Sequence, residues 1–138
     1  MADRQHRIRS GQQGAARHGF LDDLSQAIAR LSDASERMRH RLDQVDPYEQ
    51  PARWAAVNDQ IRRLDERISH LRDEHQRLAL AAAELRPLGA DEIARLRSCT
   101  AALADLVRAM STSTAVAEAA GKLADVAGEL VQKTLPKS

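Results

Sequence analysis

The fold of this chain is decided by residues 54–85, which read WAAVNDQIRRLDERISHLRDEHQRLALAAAEL. Along this stretch, side chains recur at alternating steps of three and four: Trp54, Val57, Ile61, Leu64, Ile68, Leu71, His75, Leu78, Ala82 and Leu85. This spacing is the heptad pattern of a coiled coil and predicts one long helix. At 1.5 Å per residue the helix is roughly 50 Å long. Because its apolar stripe must be covered, we expect further helices to pack on it.

The composition favours an all-α protein. Aromatic residues make up 2% of the chain, and they are Phe20, Tyr48 and Trp54. A core without aromatic side chains has to be built from aliphatic residues and alanine, which helical bundles tolerate better than β-sheets do. We therefore predict an all-α protein whose helices form an antiparallel bundle.

Two more stretches carry the same spacing. The first stripe consists of Leu21, Leu24, Ile28, Leu31, Ser35, Met38, Leu42 and Val45, and predicts a helix over 20–45. Pro47 and Pro51 interrupt the helical pattern, and the second helix is predicted over 52–86. Because the connector is short, these two helices are expected to form an antiparallel hairpin.

The third helix is predicted over 90–135, after Pro87 and Gly89. Its stripe begins at Ile93 and keeps its register as far as Leu135. Residues 111–114 read STST, and such weak helix formers permit a break without forcing one. Two architectures stay open: three long helices, or four helices with a turn at 111–114.

The last segment carries a second apolar stripe beside the first. Its members share the heptad spacing and are Val116, Ala120, Leu123, Ala127 and Leu130. Each of the two apolar faces must pack against something. The second stripe is therefore expected to contact either a fourth helix of the same fold or another molecule. We predict that it binds a partner, with Gly121 and Gly128 allowing a close helix approach.

Residues 1–19 are predicted to be a flexible, basic arm followed by a single domain, 20–138. The arm contains three glycines and few apolar side chains. Four of its side chains are candidate phosphate contacts: Arg4, Arg7, Arg9 and Arg17. The net charge of +1 argues against attraction of the whole chain to nucleic acid. Because the arm offers four arginines and no aromatic side chain on which bases could stack, its own binding to nucleic acid is expected to be weak and sensitive to salt.

Several classes of site are excluded by the sequence. The chain has one cysteine, Cys99, and therefore no disulfide within itself. It lacks a phosphate-binding loop, a nucleophile elbow and a zinc-protease helix, so we expect no enzymatic activity and no cofactor. Glu66, His70 and Glu74 recur at steps of four, which is not the spacing of di-iron bundles, so we expect no metal. No apolar run is long enough to span a membrane, and we expect a soluble, cytoplasmic protein.

These observations favour a non-enzymatic adaptor or assembly protein that self-associates, or binds a partner helical protein, through its C-terminal segment. A homo-oligomer is the expected form. One alternative is a nucleic-acid accessory protein that uses several basic arms at once. In helix pattern alone, the chain also resembles small helical export chaperones and the phasins that coat storage granules, which implies a binding role at a protein or granule surface.

Overall fold

The computed structural model describes the backbone of residues 2–136 and the side chains of residues 19–136. Four α-helices account for most of this range, and they are α1 (Ala2–Asp43), α2 (Pro51–Leu80), α3 (Ala90–Arg108) and α4 (Ser113–Thr134). A short 3-10 turn, Ala82–Glu84, follows α2. The described backbone contains no β-strand, so the all-α prediction is confirmed.

The first two helices form an antiparallel hairpin, as predicted. Ser35 Oγ donates a hydrogen bond of 2.5 Å to Asp65 Oδ1 near the middle of the hairpin. Farther from the connector, His75 Nε2 lies 3.1 Å from the carbonyl oxygen of Leu21. Residue numbers fall along α1 as they rise along α2, which fixes the antiparallel direction.

Helices α3 and α4 form a second antiparallel hairpin. Lys133 Nζ lies 3.0 Å from Glu92 Oε2, and Arg95 Nη1 lies 3.2 Å from Glu129 Oε2. These two ion pairs connect the beginning of α3 with the end of α4.

The turn between α3 and α4 falls where the weak helix formers permitted a break. The N–H of Ser111 donates to the carbonyl of Leu106 at 3.1 Å, and the N–H of Met110 donates to the carbonyl of Val107 at 3.2 Å. This pair of bonds is a Schellman motif, and Met110 takes the left-handed conformation that such a motif requires, with φ 57°. Thr112 then caps α4 by accepting a hydrogen bond from the N–H of Ala115 at 3.2 Å. Of the two architectures left open by the sequence, the structure has the split helix.

The two hairpins pack so that helices of the same direction are neighbours. Asp23 on α1 pairs with Arg97 on α3 at 3.0 Å, and Arg67 on α2 pairs with Asp125 on α4. Helix α1 contacts all three other helices, whereas α2 and α3 lie at opposite corners. Helix α4 meets α1 across the remaining diagonal, so the four helices share one core.

The core is aliphatic and rich in alanine, as the composition predicts. Leu24, Leu31, Ala27 and Ala34 of α1 are completely buried. Phe20 is the one aromatic side chain among the buried core residues of the described range. Close packing of small and branched side chains lets α1 lie against three neighbours at once.

The first helix is longer than predicted. It begins at Ala2 and not near residue 20, and it ends at Asp43. The sequence before Phe20 is rich in arginine, glutamine and alanine, which have high helix propensity. The phosphate-contact candidates Arg4, Arg7, Arg9 and Arg17 lie outside the residues whose side chains are described, and the flexibility of residues 1–19 stays a prediction.

The second helix is shorter than predicted. It ends at Leu80, whereas the stripe predicted an end near residue 86. The 3-10 turn and an extended residue 85 turn the chain so that Leu85 enters the core with 2% exposure. The N–H of Arg86 then donates to the carbonyl of Thr134 at 3.0 Å, which ties the connector to the end of α4. Tertiary packing therefore overrides the helix propensity of the alanines that precede Leu85.

One position of the central stripe also differs from the prediction. Glu74 is buried with 6% exposure, whereas His75 is only half-buried. Positions 74 and 75 lie three and four residues after Leu71, so both border the apolar face and spacing alone does not show which of them is buried.

None of the helices in residues 2–136 combines the length and the apolar character needed to cross a bilayer.

Candidate functional site

The apolar stripe that was predicted to bind a partner is part of the core. Its five residues have exposures of 1% or less: Val116, Ala120, Leu123, Ala127 and Leu130. The helices of the same chain cover this stripe, so it is not an exposed contact surface. A partner could reach these residues only if α4 left the core. The polar residues of α4 form an exposed strip, which comprises Glu118, Lys122, Asp125, Glu129 and Gln132.

The two glycines of the predicted contact lie on a different side of α4. Gly121 and Gly128 are half-buried, and a Cβ atom added to either would meet no atom within 4 Å. Both border an open channel between α2 and α4, which we call the α2/α4 groove. Its wider part has a volume of about 310 Å³ and is lined by Met38, Gln60, Arg63, Leu64, Arg67, Thr114, Ala117, Glu118 and Gly121. The narrower part has about 240 Å³ and is lined by Glu66, Arg67, His70, Leu71, Ala124 and Gly128.

Arg67 divides the α2/α4 groove into these two parts. Its Nη1 atom donates to the carbonyl of Gly121 at 3.3 Å, and its Nη2 atom pairs with Asp125. The two edges of the wider part differ in charge, with Arg63 and Arg67 on the α2 side and Glu118 on the α4 side. In the narrower part the α2 side also carries Glu66.

A second concave surface lies at the end of the fold where α1 stops and α4 begins. It has a volume of about 820 Å³, and we call it the basic end cavity. Its walls come from the C-terminal turns of α1, the N-terminal turns of α2 and the α3–α4 turn. The lining residues are Arg37, His40, Arg41, Gln44, Val45, Gln50, Arg53, Ala56, Val57, Gln60, Met110, Thr112, Ser113 and Thr114.

The sequence pattern did not identify the basic end cavity. Its four basic side chains, Arg37, His40, Arg41 and Arg53, have positions outside the apolar stripes. The hairpin brings Arg53 of α2 beside the end of α1, and the α3–α4 turn then closes the third wall. Arg41 Nη2 donates to the carbonyl of Met110, which fastens this turn to α1. Only the fold brings these residues together.

The other candidate residues stand apart. Cys99 is half-buried beside the core. Within residues 19–136 there is no group of three or more His, Cys, Asp or Glu side chains placed to hold a metal ion. Glu74, His70 and Arg77 do meet on α2, with Arg77 Nη1 3.0 Å from Glu74 Oε1, but the second carboxylate oxygen of Glu74 is buried without a hydrogen-bond partner.

Two surfaces of the described chain therefore have the shape and chemistry to bind something. The α2/α4 groove is mainly apolar, and the edges of its wider part differ in charge, whereas the basic end cavity is lined by cationic, amide and hydroxyl groups. Comparisons of this chain with protein-family models, with curated proteins and with solved structures found no match.

Proposed function

We propose that this chain is a non-enzymatic helical assembly protein that binds a second copy of itself through the α2/α4 groove. The observation that carries the proposal is the pair of glycines, Gly121 and Gly128, inside helix α4. Each of them costs about 1 kcal/mol of helix stability relative to alanine. A Cβ atom at either position would meet nothing in the chain, so packing within one copy does not require glycine.

Close contact with a helix of another molecule would explain why these two positions are glycine. Ala117, Gly121, Ala124 and Gly128 follow one another at steps of four, three and four, which is a heptad stripe of small residues. Ala124 is buried in the core, so the part that an outside helix can reach consists of the half-buried Ala117, Gly121 and Gly128. A stripe without bulky side chains lets a second helix approach closely and make extensive backbone contact. The groove beside the stripe accepts side chains from that helix.

The charges at the edges of the groove favour a second copy as the occupant. If a two-fold axis runs along the groove, the α2 edge of each copy faces the α4 edge of the other. Arg63 and Glu118 border the same part of the groove, so they would face each other across the interface at one level. Attraction between opposite charges at both edges supports this register and opposes a shifted one.

The test is the mass of the full chain in solution, measured by light scattering after gel filtration over a range of concentrations. A single copy has a mass of 15.2 kDa, and we expect the wild-type chain to reach twice that value as concentration rises. Gly121→Leu should place a side chain in the groove and return the chain to the single-copy mass, with an unchanged helical circular dichroism spectrum.

Gly19→Leu is the matched control, because Gly19 is also a helical glycine with open space at its Cβ position but lies on α1. This control should associate as the wild-type chain does. A wild-type mass of 15.2 kDa at every concentration would refute self-association. Equal association of the wild-type chain and the Gly121→Leu variant would place the interface somewhere other than the groove.

A further inference from the structure

We propose that the basic end cavity binds a small anion that carries several phosphate charges, held by Arg37, Arg41 and Arg53 together with the first turn of α4. The site adjoins the α2/α4 groove, with which it shares Gln60 and Thr114, but none of its three arginines lines the groove. The proposal does not depend on self-association. Its volume of about 820 Å³ falls in the range of small-molecule sites in proteins.

The acidic and basic side chains that line the cavity are all basic. Three arginines and one histidine are among its fourteen lining residues, all of which belong to the described part of the chain, and no aspartate or glutamate is. Acidic residues do occur nearby in the sequence, at Asp43, Asp46 and Glu49, but none of them lines the cavity. An anion that enters the cavity would therefore meet cations without a competing carboxylate.

The three arginines of the cavity have no acidic partner, a property that Arg62, Arg72 and Arg86 share within residues 19–136. Within residues 19–136, eight other arginines form ion pairs with carboxylates: Arg30, Arg39, Arg63, Arg67, Arg77, Arg95, Arg97 and Arg108. In the same range, Arg37, Arg41 and Arg53 form none. Arg41 instead donates to the Met110 carbonyl, and Arg53 Nη1 donates to Gln50 Oε1 at 3.3 Å. Most of their hydrogen-bond donors are left for a ligand.

Arg37 has a buried hydrogen-bond donor that no acceptor of the described chain pairs with. Its Nε atom is buried from solvent and has no hydrogen-bond partner in the described chain. A buried donor on a charged group is costly to leave unpaired, because it has lost its water without gaining a protein acceptor. Arg37 lines the cavity and forms no ion pair in the described chain, so a ligand oxygen bound by the rest of its guanidinium group would compensate for this unpaired charge.

The α3–α4 turn adds neutral donors to the cationic ones. Thr112, Ser113 and Thr114 line the cavity, and Ser113 and Thr114 are the first two residues of α4. Backbone N–H groups in the first turn of a helix have no carbonyl partner within the helix and carry the positive end of its dipole. Hydroxyl groups, helix N–H groups and guanidinium groups together are the set of donors that proteins use for phosphate.

The lining favours a small phosphate ligand over a nucleic acid. Neither Tyr48 nor Trp54 is among the lining residues, so the imidazole of His40 is the one aromatic ring that lines the cavity and no pair of rings forms a platform for successive bases. The apolar part of the wall is limited to small or flexible side chains, which are Val45, Ala56, Val57 and Met110. Recognition therefore depends on the charge and geometry of the phosphate groups.

The experiment is a calorimetric titration of the full chain with inorganic pyrophosphate at constant ionic strength. We expect saturable binding with one site per chain. Arg37→Gln and Arg53→Gln should each weaken binding at least tenfold, which is the loss expected for a charge-assisted hydrogen bond. Arg62→Gln is the matched control, since Arg62 is exposed on the same helix as Arg53 and does not line the cavity. Its affinity should equal that of the wild-type chain.

Three results would overturn the proposal. One is the absence of saturable binding, and another is an equal loss in Arg62→Gln, which would indicate general attraction to a basic surface. A third is a single-stranded oligonucleotide that displaces pyrophosphate at equal phosphate concentration, which would assign the cavity to nucleic acid. If Arg37→Gln loses its helical circular dichroism signal, Arg53→Gln alone decides the outcome, because Arg53 is exposed and lies outside the core.

Discussion

Lys133 Nζ lies 3.0 Å from Glu92 Oε2, and this contact joins the last turn of α4 to the first turn of α3. The other oxygen of Glu92 accepts a hydrogen bond of 3.1 Å from the N–H of Gly89, just before α3. The bond from Lys133, and then the bond from Gly89, lower the pKa of Glu92 below its usual value of 4.5. The same bond to Glu92 raises the pKa of Lys133 above its usual value of 10.5.

This contact predicts a specific dependence of stability on pH. Because the pKa of Glu92 is lower in the folded chain, its contribution to the free energy of unfolding is complete above pH 4.5 and is lost as pH falls through the lowered value. The stability difference between wild type and Glu92→Gln should therefore shrink across that acid range, as urea denaturation at a series of pH values would show. On the alkaline side, the contribution of Lys133 is present below pH 10.5 and is lost as pH rises through the raised value. If the stability difference between wild type and Glu92→Gln did not change with pH in the acid range, the lowered pKa of Glu92 would be contradicted.

Gly121→Ala should stabilise the single copy by about 1 kcal/mol, because alanine has the higher helix propensity and the new Cβ atom meets nothing. Chemical denaturation measures the change, at a concentration where light scattering gives the mass of one copy. Gly19→Ala should give a similar gain, since its Cβ position is equally open. A loss of stability in Gly121→Ala alone would mean that the groove is closed in solution.

Met110→Gly should also stabilise the chain. Met110 has a φ of 57°, which costs a residue with a side chain about 1 kcal/mol and costs glycine almost nothing. Thermal denaturation should therefore show a higher midpoint for this variant. Ala109→Gly is the control, because Ala109 has a φ of −76° and glycine brings no such relief there. A lower midpoint for Met110→Gly would show that the Met110 side chain contributes packing that outweighs the backbone strain.

Leu123→Ala distinguishes a core residue from an interface residue. Leu123 has no exposed surface, so we expect a loss of about 3 kcal/mol in the free energy of unfolding. Gln132→Ala, on the exposed strip of the same helix and outside the groove, should change the free energy of unfolding by less than about 0.5 kcal/mol. If Leu123→Ala kept full stability and changed only the mass in solution, the side chain would belong to an interface between copies.

Local pattern was sufficient to predict the α1/α2 hairpin. The stripes, with Ser35 a member of the first, and the short connector predicted that the two helices are antiparallel, and Ser35 bonds to Asp65 near the middle of α2. The aliphatic core and the polar strip on α4 also follow from spacing alone, because each depends on which residues share one face of a helix.

The remaining features depend on contacts that are distant in sequence. The stripe marked Leu85 as a core residue, but no local signal showed that α2 ends at Leu80 and that Leu85 enters the core from the connector. The second apolar stripe of α4 could be identified in the sequence, but the helices that pack on it could not. An apolar face shows that a residue will be buried and does not show which helix buries it. The groove beside Gly121 and the cavity around Arg37 are spaces between helices, and their shapes depend on how the two hairpins pack.

The division into two hairpins also bears on how the chain reaches this fold. Each hairpin is closed by a short connector, 44–50 in one and 109–112 in the other, and short loops lose little entropy on closure. Contacts near in sequence form fastest, so we expect each hairpin to appear before α1 meets α4 across the diagonal. Interactions that form after the rate-limiting step govern the unfolding rate more than the folding rate. Substitutions confined to the α1/α4 contact should therefore shorten the lifetime of the folded chain while changing its speed of formation little.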